Sequence, residues 1–270
     1  PDRLRLSLPG PVSSVVFFPD GDRLAASSRQ GVWIYDLDTG DPILELRNEG
    51  AALAISPDGQ LLATSDGRGV TLWDTLSWQR WRHLPESSGP LAFSPDNHQL
   101  ATGSNDGIVL WSLDEGGERV VMEESAVPLR GLFPGGRRIV FSRDGNSVIA
   151  PHTEKSTRGV FCLGVWDAES GKELWNLKDK IAPLTMSVAG KSLVYHNGDS
   201  VVCLDRASGD EKWRAAKAST RAVIPFNVAP RLVIFEDVVL LLGSASWWER
   251  ALVSVVAVSL KNKLNLSSPQ

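Results

Sequence analysis

The chain has 270 residues, 42% hydrophobic and 22% charged, with a formal net charge of -4 at pH 7. That balance is ordinary for a globular protein of one large domain or two small ones, and it argues against a general nucleic-acid binder, which needs a strongly basic face. No run approaches the roughly 18 apolar residues of a membrane-spanning helix, and two cysteines, Cys162 and Cys203, cannot build a four-thiolate zinc site or a disulfide framework.

Arg3-Leu4-Arg5-Leu6-Ser7-Leu8 alternates polar and apolar residues, the pattern of a half-exposed strand. Val15-Val16-Phe17 then predicts a first strand, Pro19-Asp20-Gly21 a turn, and Arg23 to Ser28 a second strand. Val32 to Tyr35 is a third, Asp38-Thr39-Gly40 a turn, and Ile43 to Leu46 a fourth. Pro presets φ in such turns, Gly supplies positive φ, and Asp bonds its own backbone. β-branched and aromatic runs between them are strand signals. No segment holds a 3.6-residue period over a helix length, so the fold class is all-β.

The unit recurs along the chain. Its turn returns as Pro57-Asp58-Gly59, Pro95-Asp96-Asn97 and Arg143-Asp144-Gly145. Third strands end at Tyr35-Asp36, Trp73-Asp74, Trp111-Ser112, Trp166-Asp167, Leu204-Asp205 and, more faintly, Val258-Ser259. The steps between them are 38, 38, 55, 38 and 54 residues, so a bare unit is 38 residues and two copies carry 17 and 16 more. A period of about 40 residues with Trp-Asp closing the third strand resembles the WD-repeat β-propellers. Val201 to Gly209 followed by Glu211-Lys212-Trp213, and Gly171 to Trp175 one unit earlier, resemble the PQQ-type repeat of quinoprotein propellers, giving the last two or three blades that character.

The resemblance spans about residues 3–266 and implies a β-propeller of four-stranded antiparallel blades in a single domain, 1–270. Six third strands predict six blades, near 12–47, 50–84, 88–122, 126–179, 181–216 and 220–260. Residues 3–8 lie one period before the fourth strand of blade 1, whereas only Lys261 to Gln270 follow the last third strand. The N-terminal strand is therefore expected to close blade 6, which would remove an open sheet edge. The other reading, a fragment of a seven- or eight-bladed ring, fits a chain opening on Pro1 rather than Met. The Gly-His pair of many WD repeats is missing from every unit, so the family's hydrogen-bonded tetrad is expected to be incomplete and packing to hold the blades.

Counting from turn to third strand locates the extra residues. Gly21 to Tyr35, Gly59 to Trp73, Asn97 to Trp111 and Gly190 to Leu204 are 14 residues apart, but Gly145 to Trp166 and Asp237 to Val258 are 21. Blades 4 and 6 thus each insert seven residues between strands two and three, and the remainder before strand one. In a four-stranded meander both connections lie at the same end of the blade, and repeat insertions map to loops on one face, often the binding face. Those loops carry Arg130, Lys155, Arg158, Arg221, Trp247, Trp248 and Arg250. Neighbouring residues of a strand face opposite ways, so Trp247 and Trp248 cannot both enter one core. Trp and Arg are hot-spot residues.

Other constellations carry less. Trp33, Trp73, Trp111 and Trp166 fall on third strands and Trp81, Trp175 and Trp213 on fourth strands, all read as packing residues, while Trp78 joins Trp247 and Trp248 as a candidate for exposure. His83, His98, His152 and His196 lack metal-ligand spacing, and His152 reads as a surface residue. Neither a phosphate loop nor a nucleophile elbow is present. No cofactor, metal or catalytic residue is assigned. The expectation is a non-enzymatic scaffold that binds a protein or peptide through the loops of blades 4 and 6, without nucleic acid or membrane insertion. Two alternatives stand beside it: a small-molecule enzyme or sensor using the central channel, and a structural domain joined to other domains of a longer chain. The mixture of repeat types resembles bacterial propellers. The free cysteines favour a reducing, cytoplasmic setting, and export after loss of a leader stays open.

Overall fold

The computed structural model describes residues 6, 8–47, 52–66, 68–104, 107–114, 117, 119–122, 138–153, 161–178, 186–197, 200–216, 231–235, 238–242, 255–259 and 265–266; at 153, 161, 216 and from 231 onward only the backbone is described. Strand follows strand, and no helix occurs among the described elements. Blade 1 holds β1 (Ser14–Phe17), β2 (Arg23–Ser28), β3 (Gly31–Asp36) and β4 (Pro42–Arg47). Blade 2 holds β5 (Ala52–Ile55), β6 (Leu61–Ser65), β7 (Gly69–Asp74) and β8 (Arg80–Pro85). Blade 3 holds β9 (Ser87–Phe93), β10 (Gln99–Ser104), β11 (Ile108–Ser112) and β12 (Arg119–Val121). Blade 4 holds β13 (Val140–Phe141), β14 (Ser147–Thr153), β15 (Phe161–Asp167) and β16 (Glu173–Lys178). Blade 5 holds β17 (Met186–Ala189), β18 (Ser192–His196), β19 (Ser200–Asp205) and β20 (Glu211–Ala216). Blade 6 holds β21 (Arg231–Phe235), β22 (Val238–Leu242), β23 (Val255–Ser259) and β24 (Asn265–Leu266). Each is a four-stranded antiparallel meander in chain order.

Two local devices recur among the blades. In the turn between first and second strands, Ser56 Oγ donates to Asp58 Oδ1 at 2.6 Å and accepts the amide of Leu61 at 2.9 Å. Ser94 with Asp96 and Gln99, and Ser142 with Asp144 and Ser147, repeat the arrangement. In the turn after the third strand, the Asp of the Trp-Asp pair caps the loop. Asp74 Oδ1 accepts the Ser77 amide and hydroxyl, Asp167 does the same with Ser170, and Asp36 takes the amides of Asp38 and Thr39. Each replaces water as partner for backbone donors that the turn leaves unpaired.

Blades then pack face to face. Val32, Ile34 and Leu46 of blade 1 meet Leu53 and Leu62 of blade 2, and Leu72 and Leu84 of blade 2 meet Leu100 and Val109 of blade 3. Ile108 and Leu110 meet Phe141 and Trp166 of blade 4, and Leu163 and Val165 meet Leu193 and Tyr195 of blade 5. Blade 6 follows with β21 beside β17. Full burial of each such aliphatic side chain contributes about 1.5–3 kcal/mol.

In blade 6 the strand paired with Val258 and Ala257 is Asn265–Leu266, a short local return to β23. Residues 3–5 and 7 of the expected closing strand lie outside the described residues. Of residues 3–8, Leu6 and Leu8 are described, and they pack against Leu24, Ala26, Trp33 and Tyr35 of blade 1. Leu44 and Leu46, one period later, sit in the same way with Leu62 and Trp73 of blade 2. The N-terminal segment therefore keeps the phase of a fourth strand lying outside blade 1. On the first strand the cover is thinner. Val15 is 46% exposed and Phe17 63%, whereas Leu53, one period after Val15, is 7% exposed.

Candidate functional site

Antiparallel order gives every blade two unlike ends. At one end lie the turns joining strands one to two and three to four. Their carboxylates are held by local hydrogen bonds. Asp74 and Asp167 titrate below the usual carboxylate range, chiefly because the hydroxyls of Ser77 and Ser170 donate to them. Asp144 is held furthest below. The Arg206 guanidinium of the neighbouring blade grips both its oxygens, at 2.9 and 2.6 Å. The Arg206 carbonyl in turn accepts the Trp175 Nε1–H at 2.9 Å, and the Asn97 carboxamide oxygen accepts the Asp58 amide at 3.1 Å. This turn end is stitched from blade to blade, and its polar groups serve the fold.

At the other end lie the connections from strand two to strand three and those that lead into each first strand. In blade 1 the former is residues 29–30; in blade 4 it is 154–160 and in blade 6 it is 243–254. The connections into the first strands of blades 4 and 6 begin after Val121 and Ala216 and end at Val140 and Arg231, whereas Glu86 alone joins β8 to β9. The long connections leave the blades where the spacing predicts, all at this insertion end. Arg130, Lys155, Arg158, Arg221, Trp247, Trp248 and Arg250 all fall in these four connections, outside the described residues.

The described part of the insertion end carries residues that motif reading passed over. Arg29, Arg47, Arg68, Arg138 and Lys178 are exposed there. The described acidic side chains at this end are Asp66, Glu86 and Glu45, which lies 3.3 Å from Arg47. Asp66 accepts the amides of Arg68 and Gly69 at 2.8 and 3.0 Å, and Glu86 lies 3.8 Å from Arg119. Arg138 stands at the mouth of a narrow cleft between blades 3 and 4, beside Pro90, Ile108, Ile139 and Pro151. Its signal in the sequence was its place directly before a first strand, which tells only once the end of the blade is known.

Family models divide the chain between two repeat types. Residues 3–36, 48–74 and 91–112 match the WD domain, G-beta repeat. Residues 137–215 match the model described as outer membrane protein assembly factor BamB. The chain is a β-propeller with WD-type repeats in blades 1 to 3 and a quinoprotein-like stretch in blades 4 and 5. Among solved structures it is similar to the β-propeller domain of Myceliophteria thermophila Cps50 (Swd1), with a TM-score of 0.65 and 18% identity, over 97% of this chain and 87% of that one. A chain of the mitotic checkpoint complex is similar at a TM-score of 0.58 and 16% identity, over 83% of this chain and 71% of that one. Dihydro-heme d1 dehydrogenase NirN is similar at a TM-score of 0.50 and 19% identity, over 96% of this chain and 65% of that one. No curated protein matches the sequence.

The propeller keeps more of its internal hydrogen bonding than the missing Gly-His pairs implied. Trp73 Nε1 donates to Thr64 Oγ1 at 3.0 Å. Trp111 Nε1 lies 3.1 Å from both Thr102 Oγ1 and Ser87 Oγ, so a serine hydroxyl completes the bond where blade 3 begins. Three further expectations change. Trp81 is half exposed on the outer strand of blade 2, because its side of β8 faces away from blade 3. Trp78 is half-buried and packs edge-on against Phe18 at 6.2 Å, against the blade 1–2 core. His152 is buried, edge-on to Trp166, with Nε2 3.2 Å from Asn176 Oδ1. Cys162 and Cys203 are buried free thiols on third strands, and burial pushes the Cys203 thiol up.

Proposed function

We propose that this propeller is a single-domain, non-enzymatic recognition module that binds a protein or peptide at its insertion end, through the loops of blades 4 and 6. The observation that carries the reading is the distribution of chain length. The turns of the turn end run from two to six residues, while the extra residues of blades 4 and 6 gather in connections at the opposite end. A stiff sheet scaffold with long loops at one end is the usual geometry of a binding surface. Blade 5, with short connections between its strands, forms a floor between two raised walls. Trp247 and Trp248 supply apolar area, and Arg130, Lys155, Arg158, Arg221 and Arg250 supply cations. The similarity to a chain of the mitotic checkpoint complex supports protein as the partner class. The likeness to the dehydrogenase NirN supports a second reading, small-molecule chemistry in the central channel.

The test compares capture of proteins from a lysate of the source organism by the unmodified chain and by a Trp247→Ala/Trp248→Ala/Arg250→Glu variant of matched melting temperature. A protein retained by the first and lost by the second is the expected result. Equal retention removes the blade 6 loop from the site.

A further inference from the structure

We infer that the segment received by the insertion end is acidic, with a carboxylate next to an apolar side chain. The inference rests on the reading of that end as a binding surface, and it adds the chemistry of the occupant. The disc is electrically polar. The turn end carries Asp20, Asp36, Asp74, Asp144, Asp167 and Asp205, each fixed in place by the turn it caps. At the insertion end Arg29, Arg68 and Arg138 are exposed, and none forms an ion pair with a described residue, while Asp66 and Glu86 are engaged locally. Among the described residues, exposed cations thus outnumber acids at the insertion end, whereas acids outnumber cations at the turn end, where Arg143, Lys172 and Lys191 are also exposed. An acidic segment is attracted there and repelled from the turn end, which steers both encounter and orientation.

Arginine rather than lysine holds three of these positions. Its planar fork matches a carboxylate with two parallel hydrogen bonds. Arg138 adds a second requirement. It stands beside Pro90, Ile139 and Pro151 at the blade 3–4 cleft, so a carboxylate paired with it brings its neighbouring residue onto apolar surface. A nucleic acid is the weaker fit. A phosphate backbone needs a continuous basic stripe, and these cations are spread over blades 1, 2 and 4.

The experiment pans a displayed library of random peptides against the whole chain at low salt. The selected peptides are then titrated against the chain and against an Arg29→Glu/Arg68→Glu/Arg138→Glu variant. A Lys172→Glu/Lys191→Glu variant reverses charge at the turn end as control. The expected result is enrichment of Asp- and Glu-rich peptides with an apolar residue beside the acid. Their affinity should fall at least about tenfold in the arginine variant and stay within about twofold in the control. Neutral or basic winners overturn the inference while leaving peptide recognition standing. Absence of any enriched peptide counts against both. Displacement of the winners by a random-sequence single-stranded oligonucleotide at lower concentration makes nucleic acid the ligand and also overturns it.

Discussion

The two ends of this propeller obey different rules. At the turn end two solutions recur: a serine bonded to an aspartate before the second strand in blades 2, 3 and 4, and an aspartate capping the turn after the third in blades 1, 2, 4 and 5. Turns are joined across blades by Arg206 on Asp144 and by Asn97 on the Asp58 amide. At the insertion end the connections range from the single Glu86 to the long segments 122–139 and 217–230, and cations outnumber acids among the described exposed residues. Short turns build the disc, and freedom in length and charge is left to the end where the blades can differ without disturbing their sheets. Substitutions at the turn end should change stability and leave recognition alone; those at the insertion end should do the reverse.

The largest effect on stability should follow Asp144→Ala. It removes the two-pronged partner of a largely buried Arg206, the acceptor for Ser142 and a turn cap at once. A loss of about 2 kcal/mol is expected, read from the denaturant midpoint with peptide affinity unchanged. The same carboxylate sets an acid limb. Its folded pKa lies well below the ordinary 3.8, so its stabilisation is fully present above that value and is lost as pH falls through the folded pKa. An Asp144→Asn protein should therefore differ from the parent at neutral pH and converge on it in strong acid, in melts taken across pH.

Trp78→Gly probes a smaller balance. Trp78 holds φ of 57° where the matching turns of blades 1, 4 and 5 use Gly40, Gly171 and Gly209. A bulky side chain in the left-handed region carries strain of about 1 kcal/mol, which packing on Phe18 must exceed. Replacement by glycine should still destabilise, by about 1 kcal/mol. A rise in melting temperature would show the tryptophan is kept for something other than packing. The smallest effect belongs to Asn97→Gly. Relief at φ of 67° nearly offsets loss of the bond to the Asp58 amide, and the change should stay within about 0.5 kcal/mol.

What the sequence makes legible is the physics that acts over a few residues. Pro-Asp-Gly turns and Trp-Asp strand ends specify their own geometry, so strands such as Arg23–Ser28 could be bounded from the chain alone. The side that each strand or turn presents to its neighbour is set by blade stacking, which hid the exposure of Trp81, the packing of half-buried Trp78 on Phe18 and the burial of His152. The phase of the N-terminal segment was readable too, since Leu6 and Leu8 occupy the places of Leu44 and Leu46. Arg29, Arg68 and Arg138 look unremarkable along the chain and gather meaning only when three blades bring them to one end. Arg130, Lys155, Arg158, Arg221, Trp247, Trp248 and Arg250 remain proposals of the sequence, since all lie outside the described residues.

Cross-linking with a lysine-reactive reagent, followed by mass spectrometry of the captured complex, tests recognition at the insertion end most directly. Lys155, Lys178, Lys180 and Lys217 lie in or beside the connections of that end, and Lys172, Lys191 and Lys212 lie at the turn end. A propeller that recognises its partner through the insertion end predicts intermolecular links from the first group and few from the second. Links concentrated on Lys172, Lys191 and Lys212 would contradict it and move the partner to the opposite face.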